Sequence, residues 1–108
     1  MRRVVVGEGE NATEVAMDLG DTLVLRLPEN SAAGYQWTVT SIDHHTLEVA
    51  TEAYESARAG IGSAGASVRT FTAKRAGRTR LELKKVRPWN PDDPAAQTFW
   101  VELNIRDD

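Results

Sequence analysis

Apolar residues in this chain recur at every second position, and that period decides most of what it can fold into. Leu23, Leu25 and Leu27 alternate with Thr22, Val24 and Arg26. Trp37 and Val39 alternate with Gln36, Thr38 and Thr40, and Leu47, Val49 and Thr51 with Glu48, Ala50 and Glu52. Phe71 and Ala73 sit among Thr70, Thr72 and Lys74. Thr79, Leu81 and Leu83 alternate with Arg78, Arg80, Glu82 and Lys84, and Phe99, Val101, Leu103 and Ile105 with Trp100, Glu102, Asn104 and Arg106. In an extended chain successive side chains point to opposite faces, so each segment has one face for a core and one for water. A helix needs a period of 3.6. Only Ser41 to Ala57 carries mixed signals, and its β-branched residues favour a strand ending near Tyr54. The pattern predicts about seven strands. The first is broken, Val4–Val6 with Glu14–Met17; the others span 22–27, 36–41, 47–54, 67–74, 78–86 and 98–106. Strands so spaced, with Gly turns between them, predict an all-β, antiparallel β-sandwich.

The 108 residues carry no linker, repeat or low-complexity tract and read as a single domain over 1–108. A chain of this size buries about 60–70% of its unfolded surface, enough for one core without staples. The absence of Cys excludes a disulfide framework, thiol catalysis and Cys-ligated metal centres. A net charge of −3 names no partner. No run approaches the ~18 apolar residues of a membrane span, so no membrane association is expected. Met1-Arg2-Arg3 has the charge of a signal-peptide start, but Val4-Val5-Val6 gives way at once to Gly7-Glu8-Gly9-Glu10. The chain as written is expected in the cytoplasm, or in the periplasm or outside the cell if a leader has been removed.

The connections separate into two kinds. Gly20-Asp21, Asp43-His44-His45 and Ala76-Gly77 are short; Pro28 to Tyr35, Glu55 to Ala66 and Arg87 to Gln97 are long. If successive strands alternate in direction, the long connections share one end of the molecule and the short ones the other. Long loops on a rigid scaffold are where binding resides. The first, Asn30-Ser31-Ala32-Ala33-Gly34-Tyr35, is uncharged and mostly small, so it presents backbone with little steric cover. Trp37 follows it and is expected in the core. The second contains Gly62-Ser63-Ala64-Gly65 and leads into a strand, not the helix N-terminus a phosphate cradle needs. The third, Arg87-Pro88-Trp89-Asn90-Pro91-Asp92-Asp93-Pro94, is stiffened by three prolines and carries Trp89 where the loop turns outward. Exposed Trp and Arg are common interface anchors.

Together the three loops resemble the chagasin-type inhibitors of papain-like cysteine peptidases. That family has an immunoglobulin-like sandwich with three ordered loop motifs: Asn-Pro-Thr-Thr-Gly-Tyr/Phe, Gly-x-Gly-Gly and Arg-Pro-Trp/Phe. The counterparts here are Asn30-Ser31-Ala32-Ala33-Gly34-Tyr35, Gly62-Ser63-Ala64-Gly65 and an intact Arg87-Pro88-Trp89, in the same order. Ser31, Ala32, Ala33 and Ala64 depart from the motifs; they keep the loops small but remove the Thr hydroxyls. The resemblance implies an immunoglobulin-like β-sandwich that inhibits papain-like peptidases reversibly and competitively. Asn30 to Tyr35 would lie over the catalytic Cys and His, Gly62 to Gly65 on one flank and Arg87 to Trp89 on the other. It also implies no catalytic residue, cofactor or metal of the chain's own, and a monomer when free.

Three other readings compete. Adjacent His44 and His45 with Asp43 invite a metal or general-base role, but neighbours on an extended chain point apart. Eight basic residues lie between Arg69 and Arg87 with one acid, Glu82. The aromatic among them, Phe71, faces inward, so no stacking platform for nucleic acid exists and no nucleic-acid partner is expected. A non-inhibitory module binding protein or carbohydrate through the same loop end is the third, with Trp89 and an outward-facing Trp100 as platforms.

Overall fold

The computed structural model describes residues 1–29, 34–55, 65–90 and 94–107. Among them are eight strands: β1 (Arg3–Val6), β2 (Thr13–Asp18), β3 (Thr22–Glu29), β4 (Gln36–Ser41), β5 (Leu47–Glu55), β6 (Gly65–Ala73), β7 (Gly77–Val86) and β8 (Gln97–Arg106). They form two four-stranded sheets, ordered β1-β3-β6-β5 and β2-β8-β7-β4. The alternating positions fill the space between the sheets. Leu23, Leu25, Leu27 and Phe71 from one sheet meet Leu81, Leu83, Val101, Leu103 and Ile105 from the other, all at most 2% exposed. Each such side chain contributes about 1.5–3 kcal/mol by leaving water.

The expected broken first strand is two strands belonging to different sheets. β1 runs parallel to β3 and β2 parallel to β8, whereas the other pairs are antiparallel. A 3-10 turn at Glu8–Glu10 carries the chain from one sheet to the other. Asn11 then imitates a strand residue. Its Oδ1 accepts the Trp100 N–H at 3.0 Å and its Nδ2 donates to the Thr98 carbonyl at 3.2 Å. The strand count is therefore eight instead of seven.

Two bulges alter the expected faces. Val49 opposes Phe71 but Thr51 opposes Thr70, so Ala50 is an extra residue that turns Thr51 outward, and its hydroxyl meets that of Thr70 at 2.6 Å. Beyond Val49, β5 is an exposed edge. β4 slips in the same way between Val39 and Ser41.

The end of the sandwich holding the short connections is organised by Asp21, which is 3% exposed. Its carboxylate accepts the backbone N–H of Arg2 at 2.8 Å and of Asp18 at 2.9 Å, tying β1 to the β2–β3 turn. Met1 lies beside Gly20 of that turn, and Arg106 at the end of β8 pairs with Asp18 at 3.0 Å, so Met1 and Arg106 share this end of the sandwich. The backbone hydrogen bonds from Arg2 and Asp18 hold the Asp21 carboxyl below the usual aspartate range. A depressed folded-state pKa contributes stability above the ordinary pKa that is lost as the pH falls through the folded one. Asp21→Ala should lower the melting temperature at neutral pH, and the gap to the parent should close as the pH falls through and below the ordinary aspartate range. A gap that persists unchanged through this titration would show that the charge of Asp21 does not contribute.

Candidate functional site

The register of the two sheets brings the long connections together. Glu29, ending β3, opposes Gly65, starting β6, and Glu55, ending β5, opposes Ala66. In the second sheet Gln36, starting β4, opposes Val86, ending β7, and Lys85 opposes Gln97, starting β8. Hydrogen bonds join the sheets at this end: Trp37 Nε1 donates to the Pro28 carbonyl at 2.9 Å and the Trp37 N–H to Glu29 Oε1 at 2.6 Å. All three long connections thus emerge on one side. Asn30, Ser31, Ala32, Ala33, Gly62, Ser63 and Ala64 lie outside the described residues; the strand ends flanking them are adjacent.

Of the remaining predicted site residues, Gly34 and Trp89 meet directly. Gly34 has φ +82°, a conformation that side chains other than glycine rarely adopt, and a Cβ there would come within 2.7 Å of Trp89 Cη2. The indole therefore covers the Gly34 backbone while remaining 71% exposed. Arg87 to Asn90 form a tight turn, closed by the Asn90 N–H on the Arg87 carbonyl at 3.0 Å. Pro88 at its second position presets the backbone, and Trp89 at the third projects outward. The Arg87 guanidinium lies 4.9 Å from the Tyr35 ring centroid, a second contact between the first and third connections. Gly65 is not a loop tip. It is buried at the start of β6, where a Cβ would overlap the Tyr54 hydroxyl and the Glu55 carbonyl.

Trp37 is 4% exposed, as expected for a core residue. The competing features lie elsewhere or are already occupied. His44 and His45 are exposed at the opposite end, where Asp43 accepts the His45 N–H and the Thr46 hydroxyl, both at 2.9 Å. These bonds hold the Asp43 carboxyl below its usual range and define a turn. Among the described residues no group of three or more His, Asp or Glu could hold a metal. The basic stretch is matched by acids from neighbouring strands. Lys74 pairs with Glu48 at 3.2 Å, and Arg78 with Glu102 at 3.3 Å and Glu14 at 3.4 Å. Trp100 is half-buried under the Arg80 guanidinium, 4.0 Å from its centroid, so that ring face is not open to a sugar.

Sequence reading gave Glu29 no role and counted Arg69 only in the basic stretch. Both follow the inward phase of their strands, continuing Leu23-Leu25-Leu27 and preceding Phe71, and that phase was the available signal.

Among the described residues the sandwich presents the strand ends of all three long connections at one end. The chain belongs to the chagasin family of peptidase inhibitors: residues 16–103 match the family described as Chagasin family peptidase inhibitor I42. It is an inhibitor and not an enzyme. No curated protein sequence matches it. Among solved structures it is similar to the cysteine protease inhibitor EhICP2 from Entamoeba histolytica, with a TM-score of 0.84 at 17% identity, over 97% of this chain and 96% of that one. PbICP-C, solved in complex with falcipain-2, gives a TM-score of 0.74 at 13% identity over 95% and 99%. The Leishmania mexicana ICP gives 0.67 at 26% identity over 89% and 90%. At such identities the first two establish the fold.

Proposed function

We propose that this protein inhibits papain-like cysteine peptidases reversibly and competitively, with Asn30–Tyr35 seated over the catalytic Cys and His. Gly62–Ala64, ahead of the buried Gly65, and Arg87–Trp89 would contact the walls of the cleft on either side. The observation that carries the reading is the exposed Trp89 ring resting on Gly34, which makes the first and third connections one surface before any partner arrives. The complex of PbICP-C with falcipain-2 shows a protein of this fold bound to such a peptidase. The small residues Ser31, Ala32 and Ala33 let the backbone approach a narrow cleft. Preordered strand ends reduce the entropy lost on docking, and a standard interface buries ~800 Å² on each partner. Nothing in this action requires the inhibitor to hold a cofactor or a nucleophile.

Titration of active papain with the purified protein should give stoichiometric loss of activity at nanomolar concentrations. Activity should return on dilution, and the apparent inhibition constant should rise linearly with substrate. Full papain activity at micromolar protein would overturn the proposal.

A further inference from the structure

We infer that Glu29 and Arg69 are positioning residues for the inhibitory first connection: from the inner face of one sheet they grip both backbone polar groups of Trp37 in the other. The inference rests on the inhibitor reading above and adds to it the groups that hold the loop in its docking geometry.

Along the inner face of the β3–β6 pair, Leu23 opposes Phe71, Leu25 opposes Arg69, Leu27 opposes Ser67 and Glu29 opposes Gly65. The core pattern therefore changes from aliphatic and aromatic to charged only over its last turns before the loops. Charges in such a place are costly unless they are hydrogen-bonded; the Glu29 carboxylate and both terminal nitrogens of Arg69 are, while Arg69 Nε is buried without a hydrogen-bond partner among the described residues. Glu29 is 8% exposed, and its Oε1 accepts the Trp37 N–H at 2.6 Å. The Arg69 side chain is 14% exposed; its Nη2 donates to the Trp37 carbonyl at 2.8 Å and its Nη1 to Ser67 Oγ at 2.7 Å. Its Nε lies 3.8 Å from Glu52 Oε1.

The geometry of an antiparallel ladder explains why these partners are needed. A residue directs its N–H and C=O to the same side. In Trp37 that side faces away from β7, the one strand to which β4 is paired. Without Glu29 and Arg69 the two groups would be left open beside a cleft of about 420 Å³ between β4 and β5. Instead an acid takes the donor and a base takes the acceptor. The indole Nε1 adds a third tie, to the Pro28 carbonyl.

The consequence for the loop is direct. Pro28 and Glu29 precede the first connection and Trp37 follows it, so the clamp fixes the separation and direction of its two ends. The Glu29 carbonyl also accepts the Tyr54 hydroxyl at 3.0 Å, linking the clamp to the strand from which the second connection departs. Two apolar residues would fill the same space but leave the loop ends unpinned.

The test compares inhibition of papain by the parent, Glu29→Gln, Glu29→Ala and Arg69→Met, at a temperature where each is folded by near-UV circular dichroism. Hydrogen exchange at the Trp37 amide is followed in the free proteins. Glu29→Gln keeps an acceptor oxygen and should stay within about threefold of the parent. Glu29→Ala should raise the inhibition constant about tenfold or more, with faster exchange at Trp37. A merely structural role would lower thermal stability without moving the inhibition constant of the folded variant, and that result would overturn the inference. Should Glu29→Ala fail to fold, Arg69→Met, which removes every donor, decides: a tenfold weakening supports the clamp and an unchanged constant refutes it. If the parent itself leaves papain active, the inhibitor reading fails; if the parent inhibits and folded Glu29→Ala inhibits equally, only the clamp fails.

Discussion

Gly34→Glu should abolish inhibition of papain, raising the inhibition constant by about a thousandfold or more, which corresponds to about 4 kcal/mol. Three effects act together. The residue sits at φ +82°, where a side chain costs roughly 1–2 kcal/mol. Its Cβ would meet the Trp89 ring at 2.7 Å, so the indole must leave its seat. The carboxylate would then enter a cleft emptied of water, where an unpaired charge costs several kcal/mol. The fold should survive, since neither Gly34 nor Trp89 belongs to the core and surface changes of this kind leave the sandwich intact. Gly34→Ala separates the causes: it keeps the strain and the displaced ring but brings no charge, and should fall between the parent and Gly34→Glu. Inhibition by Gly34→Glu within about threefold of the parent would remove this position from the interface.

Trp89→Ala should weaken inhibition by about 2 kcal/mol or more, roughly thirtyfold, with the melting temperature little changed. A ring that is 71% exposed in the free protein contributes little to folding and has most of its apolar surface still to bury. Its orientation is already set by the turn at Arg87–Asn90 and by the Gly34 backbone beneath it, so little rotational freedom remains to be lost on docking. Trp89→Phe should recover part of the loss. An inhibition constant equal to the parent's for Trp89→Ala would mean that the ring lies outside the contact.

Most of the strands and the gathering of three connections at one end were legible in the residue pattern; the order of strands within each sheet was not. A period of two is robust over segments such as Phe99 to Ile105, and alternation of direction is a matter of parity. What stayed hidden were departures from local pattern. Ala50 is an ordinary residue for a strand, and nothing local marks it as a bulge; only pairing with β6 does. Val4–Val6 and Glu14–Met17 look like one interrupted strand because the switch between sheets depends on Asn11 bonding to β8, far away in sequence. Gly65 reads as part of a glycine-rich tip, yet its lack of a side chain serves close packing against Tyr54. Glu29 and Arg69 stand at inward positions, but a charged residue in that phase reads more simply as the end of the buried stretch. Their purpose emerges only once Trp37, at the head of the opposite sheet, is known to face them.

The placement of Met1 and Arg106 beside the Asp18–Asp21 corner has a practical bearing. A reporter or solid support attached at either of these two residues would stand at the end of the sandwich opposite the three long connections. The face proposed to dock would then stay unobstructed, which suits the molecule to tethered formats in which several copies face a peptidase-bearing surface.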